Sequence, residues 1–355
     1  MIPYFCLLAF VLGIILFQEQ IGTLKIRIEK KEYDVIPFVA YAVFLLFYSV
    51  RDYIGYDYGM YYHTVEGGYA DDVYASKGEF ISAWLLDIAT YFGNPHIFFF
   101  LTAAISFACI IYACQKHIKI KAGLGWGLLV FLALPLGFIY TLSIQRQFVA
   151  VAILMFGIKY LWNRKIVKYL VVTALASMAH MSSFLCILLY LVQSKFVSKK
   201  ILFSICVMGL LLTSKAEAIV AYLFPFYIQY VEASAIAKDG GGTTQFILYV
   251  LILFFSMAFY YFVRDKERYN FFFKNYIFGF ILMLVLFPFD ANVSFRLGGF
   301  SLLNAIFLIP LWPSAFTGVS RMYFKLLLAM ALSFAYYYGL ITTVADFYVP
   351  YKTFL

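Results

Sequence analysis

Three arginines lie where apolar runs of the sequence end or begin. Arg51 follows one such run, and Arg146 and Arg296 lie near the starts of two others. A guanidinium group is planar and always charged, and its fork of N–H donors matches the oxygens of a phosphate. These positions therefore predict an anion-binding surface. The alternative is that each arginine lies along apolar surface with its charged end in water.

The segment 51–62, RDYIGYDYGMYY, carries the densest group of candidate residues. It contains Arg51, two aspartates including Asp57, and five tyrosines including Tyr58 and Tyr61. Its glycines allow tight turns, and tyrosine rings offer flat amphipathic surfaces that suit sugars. Tyrosines also collect at membrane interfaces for structural reasons. The arginine and the carboxylates, more than the tyrosines, indicate a substrate site in this segment.

Two further segments place an arginine near the start of a predicted helix. Arg146 is flanked by glutamines in the segment SIQRQ (143–147), which makes Gln147 a further substrate-binding candidate. Arg296 closes the segment NVSFR (292–296). The first backbone N–H groups of a helix attract anions, and an arginine beside them adds its own donors. Both segments therefore predict contacts to phosphate.

His180 lies between two short apolar runs, in the sequence SMAHMSS. Only twelve positions separate it from Lys168, which is about 18 Å of helix and less than the hydrocarbon thickness of a bilayer. A polar side chain at such a depth is costly without a partner and a role. We therefore predict a broken helical hairpin with His180 facing a cavity, although a histidine packed at a helix end fits the same pattern.

Motifs for nucleotide and metal chemistry are absent from the sequence. It contains no P-loop, no GxGxxG motif after a strand, no HExxH, no GxSxG and no DxD pair. The five cysteines lie inside apolar runs and form no CxxC pair, which indicates a packing role. We therefore predict neither a metal site nor a cofactor.

The composition predicts the elements that carry these residues. Hydrophobic residues make up 65% of the 355-residue chain and charged residues 13%, whereas a soluble chain carries about 25% charged residues. The apolar runs are roughly 15–20 residues long, enough for a helix to cross a bilayer while satisfying its own backbone hydrogen bonds. We predict an all-α polytopic protein, a single integral membrane domain over 1–355 with about 12 transmembrane helices. These lie near 2–18, 35–50, 96–114, 122–141, 143–161, 167–180, 182–194, 200–214, 245–263, 275–289, 296–312 and 323–342.

The basic residues predict the orientation of the spans and argue against nucleic acid as a partner, despite the net charge of +9. With the N-terminus outside, 20 of the 27 lysines and arginines fall in inner loops, as the positive-inside rule requires. Both termini, the candidate arginines and the loops at about 51–95 and 215–244 then lie outside. The run 79–93 contains Asp87, and we predict an amphipathic helix there, at the outer surface or re-entrant.

Five short motifs follow one another along nearly the whole chain. They are Arg51…Gly55-x-Asp57-Tyr58-x-x-Tyr61, Ile144-Gln145-Arg146-Gln147, Ala179-His180-x-Ser182-Ser183, Phe295-Arg296 and Val349-Pro350-Tyr351-Lys352. In order and spacing, they resemble the EpsG/Wzy-like family of membrane polysaccharide polymerases, which act on O-antigen, capsule or exopolysaccharide. Residues 55–57 are Gly-Tyr-Asp, where we expect Gly-Thr-Asp or a similar triplet.

The resemblance implies a metal-independent glycosyltransferase of the GT-C type in the bacterial cytoplasmic (inner) membrane. Its substrate would be an oligosaccharide repeat unit carried on undecaprenyl diphosphate. The enzyme would transfer the growing glycan to a sugar hydroxyl of a second unit at the outer face. Membrane lipids would surround it, and a chain-length regulator and a flippase are implied partners.

The resemblance also implies a role for each candidate residue. Arg146 and Arg296 would hold the departing diphosphate, and Arg51 would assist them or hold the diphosphate of the acceptor. Asp57 or His180 would be the base or would orient the acceptor hydroxyl, and the sequence does not rank the two. The remaining substrate-binding candidates are Tyr58 and Tyr61, which would contact sugar, and Gln147.

Three other functions are also compatible with the sequence. An O-antigen ligase-like transferase uses similar chemistry with a different acceptor, and a sugar acyltransferase also uses an intramembrane histidine. A flippase for lipid-linked oligosaccharides has many spans and a cationic cavity, but it should line a central path with charge. The candidate residues here gather on one predicted side, which favours chemistry at that surface.

Overall fold

The protein is largely helical, as its composition predicts. The structure is a computed structural model that describes residues 1–28, 31–68, 74–211, 222, 242–287, 290–342 and 347–354. Within these residues the only sheet is a hairpin of two antiparallel strands, β1 (Lys25–Ile28) and β2 (Lys31–Asp34). The predicted all-α class is therefore confirmed.

The chain divides into two compact units, one formed by Met1–Leu185 with Thr317–Leu355 and the other by Cys186–Phe316. The single membrane domain over 1–355 stays a prediction. The first unit contains α1 (Ile2–Gln20), α2 (Ile36–Ser49), α3 (Tyr58–Glu66), α4 (Phe80–Tyr91), α5 (Pro95–His117), α6 (Gly123–Ala133), α7 (Phe138–Ser143), α8 (Gln145–Trp162), α9 (Ile166–Ala179) and α16 (Gly318–Thr342). A 3₁₀ helix follows α9 at Met181–Ile187. The second unit contains α10 (Leu188–Val192), α11 (Lys199–Leu211), α12 (Thr243–Phe259), α13 (Lys266–Leu286), α14 (Ala291–Leu302), α15 (Ala305–Leu308) and a 3₁₀ helix at Ile309–Ala315.

Five helical stretches in the described residues are long and apolar enough to cross a membrane. These are Ile2–Gln20, Pro95–His117, Lys266–Leu286, Ala291–Ala315 and Gly318–Thr342. Shorter apolar helices cover most of the other predicted spans. The helices therefore fit a multi-pass membrane protein, whereas the number of about 12 spans stays a prediction.

A proline interrupts the helix in one of the predicted spans. In the predicted span 122–141, α6 ends before Pro135, because Leu134 has an extended backbone with φ −83° and ψ 124°. The ring of a proline forces the preceding residue out of the helical region, and its nitrogen cannot donate a helical hydrogen bond. The predicted span 296–312 instead stays helical throughout, as α14, α15 and the 3₁₀ helix Ile309–Ala315, which contains Pro310 and Pro313.

The predicted outer segment 51–95 contains two helices, α3 and α4. With 12 residues, α4 is about 18 Å long and too short to cross a bilayer. It buries Leu86 and exposes the large ring of Trp84. Its predicted place at the outer surface stays a prediction. The predicted loop 215–244 lies outside the described residues except for Tyr222 and 242–244, where α12 begins at Thr243.

The start of α8 rests on a packed core in the first unit. This helix packs against α5 and α9, and α9 also packs against α4. Phe148 of α8 packs against the rings of Phe107 and Phe131, which come from α5 and α6. Asn94 fixes the beginning of α5, since its Oδ1 accepts a hydrogen bond from the N–H of His96 at 3.0 Å. Polar side chains near the start of α8 are therefore held on a rigid support.

Candidate functional site

Arg146 and His180 meet at one acidic side chain, Glu79. Arg146 lies in the first turn of α8, His180 directly follows α9, and Glu79 directly precedes α4. The hydroxyl of Ser82 donates to the carbonyl oxygen of Ala179 at 2.7 Å, which ties the end of α9 to α4. Three helices thus bring the three side chains together. We call Arg146, Glu79 and His180 the central cluster.

Each carboxylate oxygen of Glu79 has a partner. Nη1 of Arg146 donates a hydrogen bond to Oε2. Oε1 lies 2.8 Å from Nδ1 of His180 and accepts the backbone N–H of Met181 at 3.1 Å. The side chain of Glu79 is 4% exposed, compared with 14% for His180 and 13% for Arg146. The cation and the imidazole are therefore joined through a buried carboxylate.

Two tyrosines complete the surroundings of Arg146. Nε of Arg146 donates to the hydroxyl of Tyr61 in α3 at 3.2 Å. The guanidinium carbon lies 4.1 Å from the centre of the Tyr74 ring, a cation–π arrangement that stabilises a partly buried charge. The charge of Asp57 also acts on Tyr61, where burial is the main reason that the pKa of the hydroxyl is raised. The carboxylate of Asp57 is therefore close enough to act electrostatically on the tyrosine that binds Arg146.

Glu79 is ionised at neutral pH. Burial raises the pKa of its carboxyl, but the hydrogen bond from His180 and the charges of His180 and Arg146 lower it more, to about 2. The stabilisation from this ionisation is complete above the ordinary value of 4.5 and is lost as the pH falls towards 2. Removal of one partner from such a buried pair leaves an uncompensated charge, which typically costs about 3–5 kcal/mol.

Glu79 is a functional candidate that the sequence does not single out. It lies 67 positions from Arg146 and 101 from His180 in the sequence, and no motif connects them. One available signal is its place immediately before the apolar run FISAWLL. A second is the cost of an unpaired cation near a membrane, which calls for an acidic partner. Neither signal selects Glu79 among the other acidic residues.

Arg51 lies in a second arrangement, enclosed by aromatic rings. It is fully buried, and its guanidinium carbon lies 5.3 Å, 5.9 Å and 5.1 Å from the ring centres of Tyr48, Tyr58 and Phe99. Within the described residues, none of its three guanidinium nitrogens has a hydrogen-bond partner. Burial lowers the pKa of Arg51 from its ordinary value, and the surrounding tyrosines oppose that shift. An anion can reach this guanidinium only after neighbouring side chains move.

Tyr58 connects Arg51 to the start of α5. Its hydroxyl donates to the carbonyl oxygen of Arg51 at 3.2 Å and lies 3.3 Å from Nδ1 of His96. Its ring stacks on Phe99, with 4.2 Å between the centres. Tyr58 is itself buried, being 1% exposed. In this conformation its ring therefore acts as part of the enclosure of Arg51.

The loop after Arg51 is fixed against the end of α7. Gly55 has a φ of +106°, and a Cβ atom there would lie 2.0 Å from the carbonyl oxygen of Leu142. The N–H of Tyr56 donates to Oγ of Ser143 at 2.8 Å. Ser143 also shares a hydrogen bond of 2.7 Å with the hydroxyl of Tyr348. Only a glycine at position 55 permits this approach.

The C-terminal segment, residues 347–354, packs on the same loop through its backbone. Arg51 and Thr353 form an antiparallel bridge. The N–H of Asp52 donates to the carbonyl oxygen of Lys352 at 3.0 Å, and the N–H of Gly55 donates to that of Phe347 at 3.0 Å. The predicted C-terminal motif 349–352 is therefore part of the structure around Arg51.

The predicted candidates thus have different surroundings in the structure. Arg146 and His180 join at Glu79, with Tyr61 as a further partner of Arg146, and Asp57 acts electrostatically on Tyr61. Arg51 and Tyr58 share the aromatic enclosure. Gln147 is buried on α8, being 5% exposed. Arg296 belongs to the second unit, where its Nε donates to Oδ1 of Asn292 at 3.2 Å in the first turns of α14. Among the described residues, no group of three or more His, Cys, Asp or Glu side chains could hold a metal ion.

The central cluster combines two chemical abilities. The guanidinium of Arg146 can stabilise a developing phosphate charge, and the imidazole of His180 can accept a proton from a hydroxyl. Both groups are largely buried, which strengthens their electrostatic interactions relative to water. The apolar helices fit a multi-pass membrane protein, and the central cluster gives this protein a buried polar site.

Comparison with known sequences narrows this class to a family. The model of the EpsG family matches residues 34–353, so the chain belongs to the EpsG family, which is the EpsG/Wzy-like family of polymerases. Membership in this family suggests a polysaccharide polymerase-like function and a role in polysaccharide biosynthesis. A search of curated proteins and a search of solved structures gave no significant match.

Proposed function

We propose that this protein is a polymerase that joins lipid-linked oligosaccharide repeat units at the outer face of the bacterial cytoplasmic membrane. Its donor is a glycan on undecaprenyl diphosphate, and its acceptor is a sugar hydroxyl of a second lipid-linked unit. Family membership over residues 34–353 supports the polymerase class. The observation that carries the proposal is the convergence of Arg146 and His180 on Glu79, because this reaction requires a phosphate-stabilising cation near a base.

In the proposed reaction, one bond forms while another breaks at the anomeric carbon of the donor. The acceptor oxygen forms a bond to this carbon, and its proton passes to a basic group of the protein. The bond between the carbon and the diphosphate oxygen breaks, and its electron pair leaves with the lipid diphosphate. Arg146 stabilises the charge that develops on this leaving group. Because the donor already carries a diphosphate, the reaction needs no nucleotide.

His180 is the base in this proposal, which the sequence alone did not decide. His180 shares Glu79 with Arg146, so the base lies next to the group that stabilises the leaving group. Asp57 directly precedes α3 and acts on Tyr61, and we assign it to orienting the acceptor sugar. Tyr61 holds Arg146. Its ring is buried against Phe98, so in this proposal it contacts sugar only after neighbouring side chains move.

We assign the remaining candidates to binding. Arg51 holds the acceptor diphosphate after its aromatic enclosure opens, and Tyr58 contacts sugar in the opened state. Gln147 binds substrate next to Arg146, and Arg296 contributes a further cation to the donor diphosphate. Lys at these positions would offer only a point charge, whereas the guanidinium fork can bind two phosphate oxygens.

The proposal includes a topology and an architecture. In this proposal the protein has about 12 transmembrane helices in a GT-C-like arrangement, with both termini outside. Its reaction does not depend on a metal ion. The excess of Lys and Arg in the inner loops supports this orientation. The described apolar helices support only the multi-pass architecture. A flippase supplying the lipid-linked units and a chain-length regulator are the proposed partners.

The length of the surface glycan tests this function. We expect a strain that lacks the gene to accumulate single repeat units, and the wild-type gene to restore a ladder of longer glycans. The Arg146→Ala variant should give single units only, because it removes leaving-group stabilisation. Gel electrophoresis of the glycan measures the ladder, and an immunoblot of the membrane fraction measures the amount of protein.

An exposed arginine provides the matched control. Arg27 lies on β1 with an exposed side chain, and Arg27→Ala should restore the normal ladder. A normal ladder from Arg146→Ala would contradict the proposed role of Arg146. Accumulation of lipid-linked units on the inner leaflet of the deletion strain would instead identify a transporter.

A further inference from the structure

We infer that Glu79 is the positioning residue of the proposed base, and that it holds His180 with the proton on Nδ1 and the lone pair on Nε2. This inference rests on the proposed function for its catalytic consequence, but the arrangement itself is a property of the free protein. Neither the predicted site nor family membership assigns a role to Glu79.

The hydrogen bond between Glu79 and His180 determines the tautomer. Oε1 of Glu79 lies 2.8 Å from Nδ1 of His180, and Glu79 carries no proton at neutral pH because the pKa of its carboxyl is lowered to about 2. The proton in this hydrogen bond must therefore belong to Nδ1. In a neutral imidazole, the lone pair then lies on Nε2 at the opposite side of the ring.

Glu79 is poorly suited to act as the base itself. Oε1 accepts hydrogen bonds from His180 and from the N–H of Met181, and Oε2 accepts one from Arg146. A carboxylate with both oxygens engaged and a lowered pKa is only weakly basic. Its negative charge instead favours the protonated imidazole that forms when His180 accepts a proton. Glu79 therefore acts through His180 and not on the substrate.

Among the charged residues on the helices packed around His180, Glu79 is the one that forms a hydrogen bond with its ring. On the side of α4 lie Glu79 and Asp87, and Asp87 is eight positions further along the chain, about 12 Å of helical rise. On the side of α8 lie Arg146, which is paired with Glu79, and Lys159, about 20 Å further along that helix. Along α9 itself, the nearest basic residue is Lys168, about 18 Å away.

The pH dependence of glycan elongation tests this inference. Lipid-linked repeat units extracted from the deletion strain serve as substrate for the purified full-length protein. For Glu79→Gln we expect an elongation rate lower by about 100-fold and an acidic limb displaced to lower pH by about one unit or more. The displacement follows because loss of the negative charge disfavours protonated His180. Glu79→Asp, which keeps the charge, should retain the wild-type position of the limb.

The exposed pair of Glu66 and His63 provides the control. Oε2 of Glu66 lies 3.2 Å from Nδ1 of His63, and both side chains are more than half exposed. Glu66→Gln should change neither the rate nor the limb. A merely structural role for Glu79 would lower the rate of Glu79→Gln without moving the limb, and that result would overturn the inference.

The tautomer can be measured in the wild-type protein. This measurement requires neither enzymatic activity nor a folded variant at position 79. In wild-type protein labelled with ¹⁵N-histidine, the signals lost in His180→Gln identify this residue. At pH 8 we expect a protonated Nδ1 and an unprotonated Nε2, and the opposite tautomer would overturn the inference. If the wild-type protein fails to elongate the extracted units, the proposed function fails while this spectrum still decides the role of Glu79.

Discussion

At the scale of single residues, the same side chain type has two different surroundings in this protein. Arg146 has a carboxylate, a hydroxyl and an aromatic ring as neighbours. Arg51 has aromatic rings around it and, within the described residues, no hydrogen-bond partner for its guanidinium nitrogens. Burial of an unpaired cation destabilises a fold. The presence of Arg51 therefore favours a function that compensates for this cost.

Replacement of Arg51 by an apolar residue separates its effect on stability from its effect on polymerisation. Since methionine is unbranched and fills irregular space, Arg51→Met should leave the thermal stability unchanged or raise it, while shortening the glycan ladder. Thermal unfolding of the detergent-solubilised protein and gel analysis of the glycan measure the two properties. A variant that is stable and still makes the full ladder would show that Arg51 is not needed for polymerisation.

The sequence predicts the candidate residues better than it predicts their contacts. Arg146 and His180 attract notice because polar groups near apolar runs are costly. The pairing through Glu79 depends on how α4, α8 and α9 pack, and this packing has no local signature in the sequence. Arg296 remains assigned by its sequence motif, at the start of α14 in the second unit.

At the scale of the elements, the loop 51–57 is positioned from two sides. The loop packs against Leu142 and Ser143 at the end of α7. It also forms backbone hydrogen bonds with the C-terminal segment 347–354. Since α8 begins two residues after α7 ends, this loop and the first turn of α8 share a support. A change in the loop should therefore disturb both Arg51 and Arg146.

Two glycines four positions apart, Gly55 and Gly59, test this arrangement. Gly55→Ala introduces a Cβ atom 2.0 Å from the oxygen of Leu142 at a φ of +106°, and we expect destabilisation by more than about 1 kcal/mol together with a shorter ladder. Gly59→Ala is the matched control, because no atom lies within 4 Å of its added Cβ. It should be neutral or slightly stabilising in α3. Equal thermal stability of the two variants would refute the close docking of the loop.

The helices follow the predicted apolar runs closely, whereas the interruptions between them are less predictable. Length and apolarity decide that a run is helical in lipid, so α1, α2, α5 and α16 lie where they are predicted. The hairpin of β1 and β2 lies in a predicted inner loop, and α3 lies in a predicted outer loop. These short elements depend on local hydrogen bonds and packing, which a hydrophobic pattern does not specify.

At the scale of the whole molecule, the polymerase proposal depends on what the protein takes as donor. A buried guanidinium beside an imidazole suits a donor that leaves as a diphosphate. A transporter would move the same lipid-linked unit without forming a bond. Family membership supports the polymerase class. The identities of the donor and of the acceptor belong to the proposed function.

The most direct measurement uses purified wild-type protein in lipid vesicles with lipid-linked repeat units and no nucleotide sugar. Mass spectrometry of the lipid-linked products reports both the glycan length and the released lipid diphosphate. The proposal predicts glycans of two or more units, with one lipid diphosphate released for each new linkage. Single units that remain intact, or elongation that starts only when a nucleotide sugar is added, would contradict it.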